Sequence, residues 1–96
     1  LENAYQKRLI EKLEKLFPGC LILKNDSSYL PGVPDLTIFY KNRWAMLEVK
    51  ASADAPLQPN QDWYVDWAAR ESFGAFIYPS NEREVLGALR VALQGV

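Results

Sequence analysis

The sequence predicts a single α/β domain, a mixed β-sheet covered by helices in the order αβββαβα. Three observations carry this expectation. One stripe of apolar residues at helical spacing opens the chain, in ENAYQKRLIEKLEKLF. Three short apolar runs bounded by turn residues come next, and two more helical patterns enclose a last strand. No internal repeat, low-complexity tract or linker interrupts the 96 residues, so residues 1–96 are expected to share one core.

In the first helix, expected over about residues 2–17, Tyr5, Leu9, Leu13 and Leu16 form the stripe, with Ile10 and Phe17 beside it. Pro18-Gly19 stops it. CLILKN reads as a short strand and DSSYLPG as a loop. PDLTIFY and RWAMLEVK read as two strands joined across Lys41-Asn42, and ASADAPLQ as a second loop. Pro59 suits the first turn of a helix reaching about Phe73, with Trp63, Tyr64, Trp67 and Ala68 on its apolar side and Gly74 at its end. AFIYP is the fourth strand. Asn81 and Glu84 have the spacing of a capping box for a last helix through about Leu93.

Composition narrows the chemistry. With 49% hydrophobic and 24% charged residues the chain reads as one compact domain, small enough for an oligomer to add burial. No apolar run approaches the roughly 18 residues of a membrane span and no secretory signal pattern opens the chain, so a cytoplasmic protein is expected. Cys20 stands alone within CLIL, which excludes a disulfide within the chain and reads as a buried strand residue rather than a reactive thiol. There is no histidine, which removes imidazole from catalysis and leaves any metal to oxygen ligands; structural zinc is not feasible in one such chain. The net charge of -1 and pI near 5.4 count mildly against a nucleic-acid partner, although a basic face or bound cations can still recruit one.

Three charged residues stand on segments that otherwise read as buried strand: Asp35, Glu48 and Lys50. If Lys41 and Asn42 form a two-residue hairpin loop, Tyr40 pairs with Arg43, and counting back sets Asp35 opposite Glu48 on one sheet face. Opposed Cβ atoms lie about 5 Å apart, so the two carboxylates repel unless a proton or cation lies between them, and Mg²⁺ suits that gap. Alternation adds Lys50 to the face of Glu48. The alternative is an ordinary exposed ion pair of Glu48 with Lys50, and Asp35 capping a turn. Glu2 falls on the line of Gln6, Leu9, Leu13 and Leu16 and therefore faces inward, either as a third carboxylate or in a solvated first turn; Glu11 and Glu14 read as a solvated face.

In order, Gly32-Val33-Pro34-Asp35-Leu36, then Glu48-Val49-Lys50, then Gln61 at a helix start resemble the PD-(D/E)XK nuclease superfamily, and within it the VRR-NUC nucleases and Holliday junction resolvases. The resemblance implies a restriction-endonuclease-like fold and Mg²⁺-dependent hydrolysis of DNA phosphodiesters, with Mn²⁺ able to substitute. It implies Asp35, Glu48 and Glu2 as metal ligands, with Glu11 competing for the place of Glu2, Lys50 as the catalytic lysine and Gln61 as a supporting residue; Gln61 also reads as closing its helix's first turn. A homodimer acting on branched DNA, such as a Holliday junction in recombination or repair, follows from it, as does a phage or bacterial setting. Lys24, Lys41 and Arg43 offer phosphate contacts, and Ser27, Ser28 and Tyr29 offer hydrogen bonds to phosphate or ordinary turn chemistry. The tryptophans read as core or dimer contacts rather than base-stacking platforms. Rival readings are a nickase or repair nuclease without junction preference, a DNA-binding module of the same fold without catalysis, and a plain α/β interaction domain.

Overall fold

A computed structural model describes residues 2–95 and has the expected order: α1 (Glu2–Leu16), β1 (Leu21–Lys24), β2 (Leu36–Tyr40), β3 (Arg43–Val49), α2 (Gln61–Glu71), β4 (Gly74–Ile77) and α3 (Glu82–Gln94). The four strands form one sheet in the order β1-β2-β3-β4. The first three pair antiparallel. The chain then crosses over through α2, so β4 returns parallel to β3, and the sheet is mixed.

Strand alternation divides the helices between the two faces. Leu36, Ile38, Ala45, Leu47, Val49 and Ile77 point to one face, where they meet Tyr5, Leu9 and Leu13 of α1 and Val85, Leu86, Leu89 and Leu93 of α3. This is the hydrophobic core, and each fully buried Leu in it contributes about 1.5–3 kcal/mol. Side-chain bonds tie α1 to α3 across it: the Tyr5 hydroxyl donates to Glu82 at 2.8 Å, Lys12 pairs with Glu82, and Gln94 donates to the Leu16 carbonyl at 2.9 Å. The opposite face carries α2, packed on β3 and β4. Val65 and Ala68 are buried there, and the Trp67 ring lies 5.7 Å from that of Trp44.

The Lys41-Asn42 turn is the expected two-residue loop, with Tyr40 paired to Arg43. Its positive φ, 57°, falls on Lys41 and not on the Asn42 that tolerates it better. Three boundaries differ from expectation. Asn60 takes φ 72°, outside helical space, so α2 starts at Gln61 and Pro59 precedes it. Asn81 makes no capping bond; its amide closes the β4–α3 turn instead, accepting from the Tyr78 N–H at 2.8 Å and donating to the Phe76 carbonyl at 3.0 Å. Gly74 begins β4 rather than ending α2, whose last turn closes with the Ser72 N–H on the Ala68 carbonyl.

Gly74 is the point where α2 comes closest to the sheet. A Cβ there would lie 2.5 Å from the Val65 carbonyl oxygen and 2.6 Å from the Ala68 Cβ. Gly87, inside α3, has nothing within 4 Å of the same position. Gly74→Ala is therefore expected to destabilise by about 1–3 kcal/mol through overpacking. Gly87→Ala should stabilise by about 0.5–1 kcal/mol through helix propensity. Urea unfolding of the two variants beside the wild type checks both signs.

Candidate active site

The β2–β3 ladder places the charged residues. Leu36 is registered with Leu47, and one step beyond the ladder Asp35 lies against Glu48. Each carboxylate accepts a backbone N–H from the other's segment. The Asp35 N–H donates to Glu48 Oε1 at 3.2 Å, and the Val49 N–H donates to Asp35 Oδ2 at 2.9 Å. Because Leu47 and Val49 belong to the core, Glu48 and Lys50 fall on the α2 face, as alternation predicts.

Both charged groups are nearly dry: Glu48 is 3% exposed and Lys50 7%. The Lys50 ammonium donates to Gln61 Oε1 at 2.7 Å and to the Pro56 carbonyl at 3.1 Å, and lies 3.9 Å from Glu48 Oε2. The Gln61 Nε2 donates to Glu48 Oε2 at 2.8 Å. One amide thus joins the carboxylate to the ammonium, and the two charges fix which end faces which. Gln61 Oε1 also accepts the Gln58 N–H at 2.9 Å, so the turn-closing role and the site role fall on one side chain. Burial pushes the Glu48 carboxyl up to about 8; the charge of Asp35 adds to the rise, and Lys50 offsets only part of it.

Gly32 holds the loop carrying Asp35 against the loop that leads into α2. Its φ is +90°, and a Cβ there would lie 2.6 Å from both the Pro59 carbonyl oxygen and the Asn60 Cβ. Between these loops lies a cleft of about 280 Å³, lined by Ser27, Gly32, Asp35, Gln58 and Gln61 among others. Lys24 is exposed at the same end of the sheet, registered with Leu36, and Tyr29 is 85% exposed. Ser28 is turned inward on its own loop, with its N–H and hydroxyl both donating to Asp26 Oδ1 at 2.8 and 2.6 Å.

Two groups of expected residues do not join the site. Glu2 is exposed rather than inward-facing, and Glu11 is exposed too. The α1 stripe packs on the sheet face opposite Glu48, and Glu2 lies in its first turn beyond the buried Tyr5. Among the described residues no three Asp, Glu, Cys or His side chains gather closely enough to hold a metal ion. Lys41 and Arg43 sit at the hairpin turn, the other end of β2 from Asp35 and about 17 Å away at 3.4 Å per residue. There Arg43 donates to the Ala92 carbonyl at the end of α3, and the Lys41 ammonium lies over the Tyr40 ring. The carbonyl of Pro56 was not legible in the sequence, because a backbone acceptor follows the loop's path and leaves no residue signature.

The remaining donor set fits a hard divalent cation. Asp35 and Glu48 supply oxygen only, repel each other in a dry setting, and match the one or two carboxylates with which Mg²⁺ is commonly held alongside water and phosphate.

An antiparallel hairpin carrying Asp35, Glu48 and Lys50, followed by a crossover helix that begins with Gln61 and returns a parallel strand, defines the class: a mixed α/β fold. A solved structure described as a VRR_NUC domain matches 93% of this chain and 94% of its own, with a TM-score of 0.68 and 23% sequence identity. The likeness is one of fold: the mixed sheet and its flanking helices match those of that domain. No family model and no curated protein matches the sequence.

The raised Glu48 carboxyl has a sign that can be measured. Its folded-state value lies above the ordinary 4.5, so the folded protein holds that proton more tightly than the unfolded chain. Without metal, this group's contribution should fall as pH rises from about 4.5 through 8. A cation competes with the proton, so Mg²⁺ should raise the melting temperature more at pH 8 than at pH 6. Thermal melts with Mg²⁺ and with EDTA across that range test this, and equal shifts at both pH values would contradict it.

Proposed function

We propose that this domain is a metal-dependent endonuclease that hydrolyses DNA phosphodiester bonds, with Mg²⁺ as the cation and Mn²⁺ able to replace it. The observation that carries the reading is the buried Glu48 and Lys50 set against the half-buried Asp35, which opens them to a cleft at the strand ends. Burying Glu48 and an ammonium beside a second carboxylate is costly, and such costs cluster at functional sites. A cation held by Asp35 and Glu48 supplies a Lewis acid that polarises the phosphodiester and acidifies water. Lys50 has three N–H donors, two of them bound to Gln61 and Pro56. The third is free to meet a phosphate oxygen or to orient the attacking water, and the ammonium stabilises the charge that grows on phosphorus oxygens. Gln61 keeps Lys50 in place and holds Glu48 Oε2, leaving the Asp35 side open to the cleft. Ser27 lines that cleft, so its hydroxyl would meet an entering phosphate backbone, whereas Lys24, registered with Leu36, stands on the opposite sheet face.

For the substrate we propose branched DNA, Holliday junctions included, and for the assembly a homodimer. Leu21, Leu23 and Phe39 are exposed on one face of the sheet at the open β1 edge, with Leu21 registered against Phe39. A second copy placed there buries this apolar strip, which a lone chain leaves in water. Light scattering should give the mass of two chains, and Leu23→Lys should give the mass of one.

One observation favours a second reading, a DNA-binding module of the same fold without catalysis. No third carboxylate joins Asp35 and Glu48 among the described residues. The two readings separate on four-way junction, flap, nicked and linear DNA incubated with Mg²⁺, Mn²⁺ or EDTA. The nuclease reading expects metal-dependent cuts that are abolished by Glu48→Ala and slowed on the order of 10²–10³-fold by Lys50→Ala. Tight binding with no cut under either metal would establish the module instead. Equal cutting of all four substrates would replace junction preference with a general nickase or repair activity.

A further inference from the structure

Lys50 borders a second cleft, on the side away from Asp35. The loop of residues 51–60 arches over the ammonium, which holds the Pro56 carbonyl, and divides the ground between the two hollows. The second hollow has a volume of about 250 Å³ and is walled by Ala53, Ala55, Leu57, Phe76, Tyr78 and Lys50 itself. Its floor comes from β4. Phe76 is registered with Glu48, and because Ile77 points into the core, Phe76 and Tyr78 both stand on the face that bears the site.

The walls differ in kind from those of the first cleft. They hold two half-buried aromatic rings and Leu57, which is 56% exposed, and Lys50 is the one charged group among them. Among the described residues the ring pairs are Phe17 with Tyr40, Trp44 with Trp67, and Trp63 with Tyr64, so no other ring covers Phe76 or Tyr78. The Ser52 hydroxyl at the rim donates to Asp54 at 2.7 Å. The hollow is below the roughly 300 Å³ at which sites for whole small molecules begin, and has room for one planar ring system.

We propose that this hollow is a nucleobase subsite, which receives the base of the nucleotide adjoining the phosphate that Lys50 meets. The inference rests on the nuclease reading and deepens it. A polynucleotide is a chain of anions with a flat apolar ring beside each, and here an ammonium has an aromatic-walled hollow next to it at that short spacing. Walls of this composition bind a base through its face, without a donor and acceptor pattern to read its edge, so the subsite accepts any base. A base within a duplex is stacked and paired and reaches the hollow only by leaving the helix. DNA with an unpaired nucleotide beside the cut, as in a single-stranded flap, is therefore favoured over intact duplex.

The test uses a DNA duplex with a short single-stranded flap, whose branch point fixes the register, and one 2-aminopurine, whose fluorescence is quenched on stacking, moved along the flap one position at a time in Ca²⁺. Wild type is expected to quench it strongly at one position. Tyr78→Leu and Leu57→Ala are expected to abolish that quench and weaken binding about tenfold. Leu57 is exposed, so its variant keeps the fold, and a melt of each variant confirms this. Absence of a position-dependent quench, or the same quench and affinity in both variants, overturns the subsite. Cleavage of the same oligonucleotides in Mg²⁺ is scored separately. A quench that depends on Tyr78 without any cleavage overturns the nuclease reading alone, and cleavage without such a quench overturns the subsite alone.

Discussion

The register of one hairpin governs the site. Lys41 and Asn42 join β2 to β3 with nothing to spare, which pairs Tyr40 with Arg43 and every later residue in step. A slip of a single residue would turn Glu48 and Lys50 toward α1 and α3 and leave Leu47 and Val49 facing α2. Such a slip would bury two charges in a hydrocarbon core, and so the core enforces the register that the turn begins. Lys41 bears a positive φ to keep that turn short, a modest conformational cost set against the packing of Leu36, Ile38, Leu47 and Val49.

From that register the electrostatics follow. Asp35 and Glu48 are held together by two N–H bonds from the backbone that separates them, so neither can swing away to relieve the repulsion. Protonation of Glu48 is one relief and a bound cation is the other. Lys50 contributes part of the compensation, but its ammonium is 3.9 Å from Glu48 and has closer bonds to Gln61 and Pro56. The arrangement keeps the lysine aimed while leaving the carboxylate pair short of positive charge.

The parts of this structure that could be read from the chain are those set by local rules. Alternation along RWAMLEVK and a two-residue turn were enough to bring Asp35, Glu48 and Lys50 together. The place of Gln61 at a helix start gave only its turn-closing role, and its link to Lys50 was implied by the family resemblance alone. Glu2 was misjudged because a helical angle gives the direction of a side chain and not how far the helix runs past the core it covers. Lys41 and Arg43 were read as phosphate contacts from their charge, yet a hairpin's turn is by construction its end farthest from Asp35. Phe76 and Tyr78 were seen only as strand residues, since their relation to Lys50 depends on the parallel pairing that α2 creates across the crossover.

The loop of residues 51–60 contains neither helix nor strand, and side chains of the site fasten it: Lys50 grips the Pro56 carbonyl, and Gln61 grips the Gln58 N–H. Removing either side chain unties a wall that both hollows share. A slowed variant at Lys50 or Gln61 thus has two causes mixed in it, a missing reagent and a sagging partition. Replacement of Lys50 by an uncharged side chain of like length that still donates to Pro56 is the way to tell them apart.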